Sequence, residues 1–197
     1  MSIRVARYAD KKLHTNYKGI LMSRDETLIL GIGNTLLTDE GAGIHALNHL
    51  ESAVPNIWPD SSSLDTPNLN FIDGGTLSFT LAVWIEDCTN LIVFDATELQ
   101  QTPGTVNVFV GAEMDKFLGT TKRSAHEVGL IDLMDIARLT GYHPENRALI
   151  GIQPDKMVWG MKPTAAVQNA LDEAVAEAVK LIQQWQKVNT DQEVSTT

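Results

Sequence analysis

Glu40, Asp95 and His126 are the side chains of this 197-residue chain whose types and contexts best suit a reaction centre. They lie in Thr38-Asp39-Glu40-Gly41, Phe94-Asp95-Ala96-Thr97 and Ser124-Ala125-His126. Taken singly, each has an ordinary explanation. An aspartate at a strand end often caps the next helix, and Asp39 reads that way. A glutamate in a first helical turn is favoured by the helix dipole. A lone histidine is usually a surface or helix-start residue. Together, two carboxylates and one imidazole suit a borderline divalent ion such as zinc, nickel or iron(II), with positions left open for water or substrate. Burying the two carboxylates without a cation is unfavourable, so an open, hydrated empty site is expected. His45 and His49 are one helical turn apart but lie in no HExxH pattern, and they read as solvated helix residues. His14 and His143 have no comparable context.

The elements that must position these residues alternate along the chain. Thr27–Ile32, Leu69–Asp73, Leu91–Asp95, Thr105–Val110 and Ala148–Ile152 are short apolar runs with strand character. Leu91–Asp95 is continuously apolar and is therefore expected to be central. Helical spacing joins Ile44, Leu47, Leu50 and Val54, with Pro55 as the expected stop. It recurs over Leu77–Asp87, Glu127–Thr140 and a last helix from near Pro163 or Thr164. That last helix carries a stripe of Val167, Leu171, Val175, Val179, Ile182 and Trp185. Asn56–Pro67 reads as a surface loop. The turn before Thr105 is too short for a parallel crossover, so the third and fourth strands are either antiparallel or not paired with each other. The expected fold is a three-layer αβα sandwich around a twisted, mostly parallel five-stranded sheet with one antiparallel strand. Such sheets bind ligands beyond the carboxyl ends of their strands. The second strand ends there at Asp73, the third at Asp95, and the first runs into the Glu40 loop. Three segments are expected: an N-terminal extension at 1–26 without stable order, an α/β domain at 27–188 and a polar tail at 189–197.

Several functions are excluded by what the chain lacks. A net charge of −10 disfavours nucleic acid and anionic membranes as partners. The single cysteine, Cys88, can form neither an internal disulfide nor a thiolate zinc site, which points to a reducing, cytoplasmic setting. The glycine run Gly31-Ile32-Gly33 fails as a dinucleotide fingerprint, because Leu36 stands where the third glycine would be. There is no GxSxG elbow and no aspartic-protease Asp-Thr-Gly pair. Trp159 and Met161 could belong to a docking surface, but an ordinary packing role is the first expectation for an isolated tryptophan.

The motifs GIGNTLLTDEGAG, FIDGGT, FDAT followed by PGTV, and SAHEVGL occur in that order. In this the chain resembles the hydrogenase maturation proteases, from about Leu28 to the last helix. The resemblance implies a twisted mixed sheet between helices. It implies Glu40, Asp95 and His126 as metal ligands and catalytic residues, and Asp73 as a further cleft residue that positions substrate. It also implies an endopeptidase that removes a C-terminal extension from a nickel–iron hydrogenase large-subunit precursor after nickel insertion. Nickel would be the recognition signal, carried by the substrate and bound only transiently, with zinc or cadmium able to substitute in vitro. The long N-terminal extension, the Asn56–Pro67 loop and the segment PDKMVWGMKPT depart from the family pattern, and the last bears on which hydrogenase is recognised. Two alternatives stand beside this reading. One is a nickel-binding maturation chaperone that docks without cutting; the other is an α/β enzyme that uses the glycine loop for a nucleotide.

Overall fold

The computed structural model describes residues 26–60, 66–76, 79–120 and 125–195, except for the side chains of residues 125–128 and 188–195. The expected N-terminal extension therefore falls almost wholly outside the described residues. Strands β1 (Glu26–Gly31), β2 (Asn68–Asp73), β3 (Asn90–Ala96), β4 (Val106–Val110) and β5 (Asn146–Ile152) form one sheet in the order β2-β1-β3-β5-β4. β1 pairs in parallel with β2 and β3, and β3 with β5. The expected sandwich is therefore present, and its antiparallel strand is β4, which pairs with β5 at the sheet edge and not with β3.

Helices cover both faces. On one face lie α1 (Ala42–Ile57) and α5 (Ala165–Ser195), packed on Ile29, Ile92, Phe94 and Ile150. On the other lie α2 (Ala82–Glu86), α3 (Ala112–Thr120) and α4 (Ala125–Thr140), packed on Leu28, Leu30, Leu91, Val93 and Leu149. This alternation along each strand follows from the two-residue side-chain period. Every residue of β3 is buried, as its unbroken apolar run requires.

Three expectations need correction. Pro55 does not end α1, which continues to Ile57 and closes with the Trp58 amide donating to the Val54 carbonyl (2.9 Å). A proline so near the end removes one intrahelical bond but leaves little helix beyond it to disrupt. Helix α3 has no counterpart among the expected elements, because AEMDKFLGT carries only a weak apolar pattern. Tertiary contacts hold it: Met114 and Leu118 are buried, and Phe117 stacks on Phe109 with ring centroids 4.0 Å apart. Arg147 on β5 also grips Asp115 with two parallel bonds of 2.9 and 2.5 Å. Finally, α5 continues through Ser195 into the expected tail.

α1 crosses the sheet at very close range. A Cβ on Gly43 would lie 2.2 Å from the Phe94 carbonyl oxygen and 2.4 Å from that of Ile32. Both obstacles are backbone and cannot swing aside. Gly43→Ala is expected to destabilise the fold by about 1–3 kcal/mol or more, read as a lower urea midpoint at unchanged slope.

Candidate active site

In this sheet the chain runs outward from β1 to β2 and then returns past β1 to β3. The point where direction reverses lies between β1 and β3, the usual crevice for ligands at the carboxyl ends of strands. Gly31, the last residue of β1, stands level with Asp73 on β2 and Phe94 on β3. Asp95 is one residue further along β3, opposite Gly151 of β5.

Glu40 reaches this end of the sheet through a tight 3₁₀ turn at Thr38–Gly41 that packs against β3. The turn folds back so closely that a Cβ on Gly33 would fall 1.9 Å from the Glu40 carbonyl oxygen, and Gly33 has φ +135°. The glycines of Gly31-Ile32-Gly33 and Gly43 thus serve backbone approach within the fold, and no nucleotide is needed to explain them.

Asp95 is 1 % exposed and Glu40 is half-buried, so the open, hydrated pair of carboxylates expected from sequence is not what the fold makes. Phe94 faces α1 and α5. Strand alternation then puts Asp95 on the opposite face, with Leu91 and Val93, beneath α4. The carboxyl end of α4 leads into the start of β5, so its amino end lies at the carboxyl end of the sheet. His126 is in that first turn, and its side chain lies outside the described residues. The fold thus brings Glu40, Asp95 and the His126 backbone to one end of the sheet.

Asp73 is placed differently. It is exposed, and its Oδ1 accepts from the Gly75 amide (2.9 Å), closing a local turn before Gly75 at φ +51°. Alternation puts it on the α1 face, two strands and roughly 10 Å from Asp95. Among the described residues no group of three potential ligands meets at metal-binding distance.

Asp39 is not the helix cap expected of it. It is 0 % exposed, and its carboxylate accepts from the amides of Asp155 (2.9 Å), Lys156 (3.0 Å) and Thr164 (2.6 Å) and from the Thr164 hydroxyl (2.9 Å). Burial works against its ionisation and is the largest single influence, but the amides of Lys156, Thr164 and Asp155 and the Thr164 hydroxyl outweigh it. The net effect is a pKa below the ordinary 3.8. Next to it, Thr38 holds φ +46°, a conformation unfavourable for a β-branched residue. Hydrogen bonds hold it there: its amide donates to the Gly160 carbonyl, its hydroxyl donates to the Lys156 carbonyl, and the Val158 amide donates to that hydroxyl.

One positioning residue escaped the sequence reading. Gln153, buried just past β5, accepts through Oε1 from the amides of Leu99 (2.7 Å) and Gln101 (3.3 Å), fixing the loop that leaves Asp95. A polar side chain directly after an apolar strand was the available signal. His45 is not solvated: its Nε2 is buried without a hydrogen bond among the described residues. Burial lowers its pKa, with the charge of Asp39 pulling the other way. His49 does reach a partner, Asp172, at 2.7 Å.

The family model for the hydrogenase maturation protease HycI matches residues 60–181. The hydrogenase expression/formation protein HupD of Rhizobium leguminosarum bv. viciae is 35% identical over 159 residues, covering 80% of this chain and 74% of its own. The chain belongs to the hydrogenase maturation protease family. The hydrogenase 2 maturation protease of Escherichia coli K12 is 33% identical over 154 residues, covering 76% of this chain and 88% of its own. The solved structure of the maturating endopeptidase HybD from E. coli superposes with a TM-score of 0.69 at 28% identity, over 81% of this chain and 93% of that one. HybD from Thermococcus kodakarensis gives 0.62 at 29% identity, over 80% and 99%.

Asp39 gives a pH-dependent test. Its folded pKa is depressed, so its stabilisation is complete above the unfolded value and is lost as pH falls through the folded one. Asp39→Asn is expected to lose about 2–3 kcal/mol at pH 7, with the gap to wild type narrowing below about pH 4, as measured by urea unfolding across pH.

Proposed function

We propose that this maturation protease is an endopeptidase that removes the C-terminal extension of a nickel–iron hydrogenase large-subunit precursor, in the cytoplasm, once nickel is in place. The observation that carries the reading is Asp95, a carboxylic acid fully buried at the end of the central strand, beside the Glu40 turn at the switch point. Burying a carboxylate there is a poor stability choice even when it is paired, since apolar side chains of similar size usually do as well or better. Such a position is better explained by chemistry than by packing. Membership of a family whose relatives are named as maturation proteases and endopeptidases supports peptide-bond hydrolysis as that chemistry.

In this reading the nickel belongs to the substrate. Glu40 and Asp95 offer oxygen donors and His126 a nitrogen donor, a set suited to a borderline divalent ion. A loaded precursor gains these ligands and an unloaded one does not, so selectivity is a difference of affinities. Hydrolysis then adds hydroxide to the acyl carbon of the scissile amide and a proton to the departing nitrogen. Asp73 contributes by holding the Gly74-Gly75 turn at the rim, where an extended peptide would pass.

Glu40→Gln, Asp95→Asn and His126→Ala are each expected to fold normally and to slow trimming of a nickel-loaded precursor at least about a hundredfold, since even outer partners of metal ligands cost 10–100-fold. Mass spectrometry of the precursor's C-terminus reads the result. Asp95→Asn should melt at or above the wild-type temperature. Stable association with a precursor that keeps its full mass would identify a chaperone instead, and normal trimming by all three variants would refute the site.

A further inference from the structure

The segment Lys156–Lys162 places Met157, Val158, Trp159 and Met161 in solvent, with Trp159 82 % and Met161 71 % exposed. This overturns the packing role expected for Trp159. Leu36, also exposed, joins them, because the Gly160 amide donates to the Leu36 carbonyl (3.0 Å) and Leu37 bridges to Gly160. Exposed apolar residues grouped in this way mark interaction surfaces. The loop is not loose. Asp39 grips its two ends, the Thr38 amide donates to the Gly160 carbonyl (2.7 Å), and the Asp39 amide donates to the Lys156 carbonyl (3.2 Å). A group presented on a fixed backbone loses little entropy on binding.

We propose that this loop is a preformed docking element for the folded body of the substrate protein, outside the peptide that is cut. The proposal rests on the endopeptidase reading above. Two features define the occupant. The loop hangs on Asp39, the residue before Glu40, so whatever seats on it is held in fixed relation to the active-site end of the sheet. Its apolar centre is bracketed by Lys156 and Lys162, against one acid, Asp155, on a chain of net charge −10. The complementary partner is an apolar recess rimmed by carboxylates. A second copy of this acidic chain is a poorer match, because the remainder of both surfaces would repel.

The test is steady-state trimming of the nickel-loaded precursor by the full chain and by Trp159→Ala, Met161→Ala and the double variant. These side chains are exposed, so melting temperatures should stay at the wild-type value. The apparent KM is expected to rise about tenfold or more, as for an interface anchor, with kcat within twofold and partial rescue by Trp159→Phe. Lys156→Glu with Lys162→Glu should raise KM further, most strongly at low salt. Unchanged KM in the double variant, while wild type trims normally, overturns the docking element and leaves the endopeptidase reading intact. If wild type fails to trim, that reading falls, and direct binding of the precursor to the same variants decides the docking element: weakened binding supports it and equal binding overturns it. A dimer in sedimentation that Trp159→Ala dissociates, with KM unmoved, overturns it in favour of self-association.

Discussion

A buried carboxylate without a neighbouring cation survives only where many dipoles converge on it, and Asp39 meets that condition with three amides and a hydroxyl. Those donors come from residues 155–164, more than a hundred positions away in the chain. The bond set joins the loop after β1 to the loop after β5, across the ends of β3. Separate bonds to Lys156, Val158 and Gly160 of the same loop hold Thr38 in a left-handed conformation that an isolated chain would leave. Because Glu40 follows Asp39 directly, the position of the candidate active-site glutamate depends on this distant clasp. The charge most firmly held in the region is therefore structural.

The sheet supplies the second constraint. β1 ends between β2 and β3, so Asp73 and Asp95 flank it at nearly the same height but on opposite faces. A one-residue difference in where a strand ends separates an exposed turn-forming aspartate from a buried one. Three close approaches to glycine hold this arrangement: Gly33 against the Glu40 carbonyl, Gly43 against the Phe94 carbonyl, and Gly151 against the Thr97 side chain. Gln153 then fixes the chain leaving Asp95, so the site is framed by backbone and amide contacts and not by packing of large side chains.

Much of the fold was legible in local pattern. The five strands, the alternating helices and the antiparallel β4 follow from hydrophobic period and loop length, and the Glu40 and Asp95 positions follow from strand ends. Helix α3 was not legible, because its nine residues carry little periodicity and depend on Arg147 and Phe109 from elsewhere. The end of α1 was misread because proline is a strong local signal but a weak one in a final turn already packed on the sheet. The exposure of Trp159 was hidden as well: composition favours burial for tryptophan, and only the clasp to Asp39 holds its loop outward.

The amino-acid sequence by itself determined which residue types are available and which elements carry them: a carboxylate after β1, another at the end of β3, and an imidazole at the start of α4. Short-range sterics and burial period are enough to specify that much. Tertiary structure alone decided that Asp39 is a clasp and not a cap, that Asp73 and Asp95 face opposite ways, and that the Lys156–Lys162 loop stands open. Each of these depends on hydrogen bonds or register between residues far apart in the chain, and such pairings exist only once the sheet has brought its loops to one end.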